Sequence, residues 1–281
     1  MAQYNLMSFC LKERPAEFPK TQKFFQIYER LEKERYKYTE GVSDGLKQLI
    51  FQHLQEKAEK ASSAPVGTEG FTQLDFAHTV DQALKEMECF DELGWSIKAK
   101  FDECILLWHV ATTLCDYAGE THKPGSCEIS ESLSNYMLYI LVMHPYMLPN
   151  GIGKIRFQDT CEEAIDFFQE RKSLRDRHQA CTKLLEVNTE ILPSLVKGDR
   201  SKSVLFDACR LAKALRSLQG EQWEVMSRVW VELLCYAAGQ CRSNYHAQQL
   251  RRGGELLTHV ASDGPFGCNG SFPDCRRPCT G

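Results

Sequence analysis

No apolar run in this chain approaches the ~20 residues that a membrane-spanning helix needs. The most apolar segments, Cys104 to Val110 and Tyr136 to Met143, fall far short, so the sequence as written does not cross a bilayer. A secretory leader is missing too: MAQYNLMSFCLKERP has no basic start followed by a sustained apolar stretch and a small-residue cleavage site. Neither sign of charge dominates. With 34 basic against 38 acidic side chains the formal net charge is −4, which leaves no overall footprint for nucleic acid or an anionic membrane. The short C-x₂-C knuckle of a strong zinc site is absent as well. The 13 cysteines are odd in number and scattered from Cys10 to Cys279. Several sit where a helix would bury them, which points to reduced thiols in the cytosol and away from a disulfide framework.

What remains is an ordinary globular composition. Hydrophobic residues make up 43% and charged residues 26% of the 281 positions, enough apolar surface for a packed core.

Helical periodicity dominates the chain. Phe24, Ile27, Tyr28 and Leu31 predict an amphipathic helix from Gln22 to Tyr38. Leu46, Leu49, Ile50, His53 and Leu54 mark a second, ending in the charged EKAEK run. Residues 1–60 thus read as a charged N-terminal helical pair. The small and turn-forming residues 61–70, ASSAPVGTEG, read as a linker. Residues 71–260 follow as the main helical domain. Within it, Phe101 to Tyr117 is apolar nearly all round and belongs in a core. The pattern recurs from Ile129 to His144, where Pro145 supplies the stop. GIGKIRF, with Ile155 and Phe157 alternating with polar residues, reads as a short extended piece. A helix is then expected to start at DTCEEAIDFF, with Thr160 and Glu163 at capping-box spacing. Further helices are expected over Val204 to Leu218, Trp223 to Ala238 and His246 to Val260. From residue 261 to 281 Gly, Pro and Cys take over without periodicity, the composition of a disordered tail. The expected fold is all-α, an irregular multi-helix bundle.

Four segments carry a family resemblance. They are WHVATTLCDY from Trp108, SNYMLYILVMHPYMLPNGIGKIRFQDTC from Ser134, SVLFDACRLAKAL from Ser203 and WEVMSRVWVELLCYAAGQCRSNYHAQQLRRGGELLTHV from Trp223. In that order, over most of Phe101 to Val260, they resemble a plant family, the domain of unknown function numbered five-nine-four. The resemblance implies the C-terminal soluble region of multi-pass membrane proteins, with no established biochemical role. It also implies that AQYNL is similar to the segment after the last span, so that this chain would lack the membrane domain. An apolar helix is expected where the Gly/Pro/Cys tail stands; a shifted frame or altered splice would explain that tail.

Candidate chemistry is sparse. Asp102, His109, Thr113 and Asp116 fall on one narrow helical stripe, and a histidine among carboxylates suits a general base or pH switch. Both carboxylates lie about two turns, ~10 Å, from the histidine, so paired polar groups inside a buried helix explain the stripe better. Cys161, in the first turn of an expected helix, would have its thiol pKa lowered by the macrodipole and raised by Glu162 and Glu163, and reads as structural. Cys268, Cys275 and Cys279 with His259 lack zinc-site spacing. Gly151 and Gly153 before Lys154 lack the rest of a phosphate loop and read as a turn. Arg251 and Arg252 could meet an anion or a partner, or form a solvated face. No catalytic residue, metal or cofactor is assigned. The expected function is a non-enzymatic protein-interaction or regulatory domain in the cytoplasm, with protein partners, no nucleic acid and peripheral membrane association at most. The alternatives are an enzyme using His109 or a cysteine, and a truncated copy without a function of its own.

Overall fold

A computed structural model describes residues 1–11, 36–62, 76–117, 125–149, 151–170, 176–190, 203–218, 220–251 and 255–263. In chain order the first elements are β1 (Ala2–Gln3), α1 (Leu6–Leu11), β2 (Tyr38–Thr39), α2 (Asp44–Ser62), α3 (Phe76–Glu86) and α4 (Phe90–Leu93). A 3₁₀ turn (Gly94–Ile97) leads to α5 (Phe101–Tyr117) and α6 (Gly125–Met143). A second 3₁₀ turn (Pro145–Met147) precedes α7 (Gly153–Glu170), α8 (Arg177–Leu185), α9 (Val204–Ser217), α10 (Gln222–Gln240), α11 (Ser243–Leu250) and α12 (Leu256–Asp263). The fold is all-α, with two-residue strands β1 and β2 pairing antiparallel, Ala2 opposite Thr39 and Gln3 opposite Tyr38.

The centre is the α5–α6 pair. Every residue of α5 from Phe101 to Asp116 except Glu103 is buried, as is α6 from Leu133 to Val142. A helix apolar on all sides must be covered on all sides. Accordingly α9 packs on α5 and α10 on α6, while α3 and α12 pack on α10. Trp108 and Trp230 are fully enclosed, and Trp230 donates its indole N–H to Thr112 Oγ1 at 3.1 Å. The N-terminal segment also enters this core, where Tyr4, Leu6 and Met7 have no exposed surface.

Several sequence expectations change. GIGKIRF is helical: α7 begins at Gly153. The alternation of Ile155 and Phe157 concealed a helical stripe of Phe157, Cys161, Ala164 and Phe168, which is buried, while Ile155 stays outside at 54% exposure. Thr160 is therefore no N-cap; its hydroxyl donates to the Arg156 carbonyl one turn back, and Glu163 accepts from Ser203 Oγ. The segment from His246 to Val260 divides into α11 and α12. The expected helix ending at Tyr38 lies outside the described residues up to residue 35, and from Tyr36 the chain turns into β2. The tail from residue 264 lies outside the described residues as well.

Candidate functional site

Helix α1 is too short to sustain itself, and its first N–H groups have no intrahelical acceptor. Asn5 is its cap: Asn5 Oδ1 accepts from Ser8 N at 3.1 Å. The N–H of Leu6 is met by a side chain from the centre of the protein, donating to His109 Nε2 at 3.1 Å. Because Nε2 accepts, the imidazole is neutral with its proton on Nδ1, which donates to Ser134 Oγ at 2.9 Å. Burial, with a smaller contribution from the Arg177 charge, pushes the His109 pKa down to about 3. Thr113 belongs to the same network. Its hydroxyl donates to the His109 carbonyl at 3.0 Å and accepts from Asn5 Nδ2 at 3.3 Å. Asn5 Nδ2 also reaches Asn135 Oδ1 at 3.0 Å, and Asn135 donates on to the Tyr38 hydroxyl at 3.0 Å.

Of the four residues on the stripe, the structure brings two together and assigns the others elsewhere. Asp102 accepts from Arg156 Nε at 3.1 Å, and the same guanidinium reaches Glu103 at 2.9 Å. The Asp102 carboxylate rests against the Gly151 backbone, where an added Cβ would come within 2.9 Å of it. Of the two glycines that suggested a phosphate loop, Gly151 thus makes room for an internal carboxylate and Gly153 packs against Leu141 and Asp102 Cβ at the start of α7. Asp116 accepts from the Cys127 thiol at 3.7 Å. Arg251 is exposed at the end of α11, and Arg252 lies outside the described residues.

The thiols are muted. Cys161 sits in the middle of α7 at 4% exposure. Burial pushes the Cys115, Cys181, Cys209 and Cys235 thiols up to about 12, far from the thiolate a nucleophile needs at neutral pH. Cys235, Cys241 and His246 line a cavity of about 40 Å³ with Leu54 and Val260. Among the described residues no group of three or more His, Cys, Asp or Glu could hold a metal ion. No helix of the described residues is long and apolar enough to cross a membrane.

A second polar cluster escaped sequence reasoning. It gathers where α6, the Pro145–Met147 turn, α11 and α12 meet. His144 lies between two tyrosines, Nε2 at 2.8 Å from the Tyr139 hydroxyl and Nδ1 at 2.7 Å from the Tyr146 hydroxyl. Tyr139 donates to Glu255 Oε1 at 3.3 Å, and Gln249 Nε2 donates to the Tyr146 hydroxyl at 2.8 Å. Beside it the Leu257 N–H, unpaired at the start of α12, donates to the Tyr136 hydroxyl at 3.0 Å. Tyr139, His144 and Tyr146 are close in sequence, a signal within one segment; Gln249 and Glu255 arrive only through the fold.

Fold and site together define an all-α bundle whose chemistry-bearing side chains serve as internal joints between helices. Residues 216–262, which run from the end of α9 through most of α12, match the model of a family described as "Protein of unknown function, DUF594", the same family that the sequence resembles. No curated protein matches the chain, and no solved structure does.

Proposed function

We propose that the chain is a non-enzymatic protein-interaction domain, and that one surface it offers a partner is the start of α7. The observation that carries this reading is the exposure of Ile152, just before that helix, and Ile155, in its first turn, at 50% and 54%. Large apolar side chains left together in water favour a partner that covers them. The polar residues suited to chemistry support the same reading, since His109 spends both ring nitrogens on the fold at zero exposure. A substrate atom has no approach to it.

The test is capture of binding proteins with tagged wild-type chain, with Ile152→Ser/Ile155→Ser, and with Phe51→Ser, which removes an exposed apolar residue of α2. A second pair, Arg251→Ala/Arg252→Ala, examines the arginines. Specific partners retained by wild type and Phe51→Ser but lost by the isoleucine variant are expected. An identical set from every chain sinks the proposal. Residence in the cytoplasm belongs to the same reading, supported by the described cysteines all being free thiols. Cell fractionation checks it and reports any peripheral membrane association.

A further inference from the structure

Donor geometry gives the cluster around His144 a direction. Gln249 donates to Tyr146, and Tyr139 donates to Glu255. A hydroxyl carries one proton, so the short Tyr139–His144 contact requires Nε2–H of His144 to be the donor. Nδ1 is then an acceptor, and the Tyr146 hydroxyl donates to it. The order is continuous: Gln249 to Tyr146 to His144 to Tyr139 to Glu255, a run of donors that ends on a carboxylate and whose members polarise one another.

We propose that this run is a proton-responsive coupling between α11 and α12, in which uptake of one proton turns His144 Nδ1 from acceptor to donor and swings the Tyr146 hydroxyl away. Two placements of the proton have the same consequence. On His144 it occupies Nδ1 directly. On Glu255 the carboxyl donates to Tyr139, Tyr139 donates to Nε2, and the ring proton moves to Nδ1. Either way Tyr146 loses its acceptor. Tyr146 accepts from Gln249 and lies against Tyr245, with ring centroids 4.9 Å apart, so its reorientation acts on the seat of α11. Helix α12 keeps Leu257 and Val260 in the core.

Further groups of the described residues face the cluster. Tyr136 and Tyr139 come from α6, and the Lys37 ammonium lies 5.4 Å over the Tyr139 ring. Burial raises the Glu255 carboxyl above its ordinary range, while its hydrogen bond from Tyr139, the charges of Lys37 and the N-terminal ammonium, and a second hydrogen bond from Tyr136 oppose that shift. The inference is independent of the interaction reading.

The test is ¹⁵N NMR of the His144 ring in the full chain from pH 8 to pH 4. At pH 8 Nδ1 is expected as an unprotonated acceptor, becoming protonated as pH falls. In Glu255→Gln the midpoint should drop by about one pH unit. Tyr139→Phe keeps both ionisable groups and removes only the hydroxyl between them; its midpoint should drop by about half a unit. Tyr146→Phe removes the donor to neutral Nδ1 and should raise the midpoint, which keeps the proposal decidable if the Tyr139 variant does not fold. Faster hydrogen exchange in α11 should accompany the transition. A midpoint shared by all folded chains, or Nδ1–H at pH 8, overturns the coupling.

Discussion

At the scale of one residue, His109 shows how a catalytic-looking side chain is spent on structure. It must be neutral to accept from Leu6, and burial holds it neutral. The unfolded chain takes a proton here near pH 6.5, whereas the folded chain resists until about 3. Its stabilisation is therefore complete above pH 6.5 and falls as pH drops through that window, by at most about 1.4 kcal/mol per pH unit. Replacing it with alanine leaves the Leu6 N–H unpaired and opens a cavity, and should cost about 3 kcal/mol. Urea unfolding of wild type and His109→Ala at pH 5 and pH 7 checks both statements: the variant should be less stable at each pH and show the flatter pH dependence. The sequence placed His109 on a polar stripe and favoured paired groups over chemistry. It gave no hint of the partner, because the Leu6 N–H becomes an orphan only once α1 forms and is 103 residues away.

Elements repeat this lesson. Caps supplied by the adjoining residue are local, though neither was expected from the sequence and α8 itself was missed: Ser203 accepts from Phe206 N at the start of α9, and Asp176 from Gln179 N at the start of α8. Caps supplied from elsewhere, by His109 for α1 and Tyr136 for α12, are not local. The long buried helices α5 and α6 were plain because apolar residues surround them, whereas α7 was missed at its first turn. There Gly151, Gly153 and the Ile155–Phe157 alternation imitate a loop and a strand; the Asp102 carboxylate from α5 is the reason for Gly151, while Gly153 lies against Leu141 of α6 and Asp102 Cβ. Gly151→Ala should force that carboxylate off Arg156 and cost about 1–3 kcal/mol. Since the clash acts through Asp102, the same change made in Asp102→Ala should cost much less, a coupling that a double-mutant cycle in urea would measure. Additive losses would mean that Gly151 matters for another reason.

For the whole molecule the issue is how residues 1–60 relate to the rest. Sequence composition divides the chain at residues 61–70, of which Ala61 and Ser62 still belong to α2, while residues 63–75 lie outside the described residues. Leu46, Ile50 and Leu54 of α2 are buried along with Tyr4, Leu6 and Met7. A shortened chain beginning at residue 71 is therefore expected to expose apolar surface, visible as strong dye binding and a lower urea midpoint, and to recover when residues 1–62 are added in trans. The contact between α2 and α10 is also charged. Glu232 is 4% exposed, with Lys57 Nζ 2.6 Å from one carboxylate oxygen and His53 Nε2 3.2 Å from the other. Burial pushes this carboxyl up, but His53 and Lys57 outweigh it and hold it below its ordinary range. Breaking a buried pair leaves an uncompensated charge, which costs more than the pair contributes. Lys57→Met keeps the apolar stem and removes the cation, so the Glu232 carboxyl should rise. The variant should lose about 3 kcal/mol at pH 7. A group whose folded pKa has risen loses stabilisation as pH increases, so part of the deficit should return as pH is lowered toward 5. Urea titrations of both chains across that range decide the matter: a deficit independent of pH would place the role of Lys57 in packing and not in its charge on Glu232.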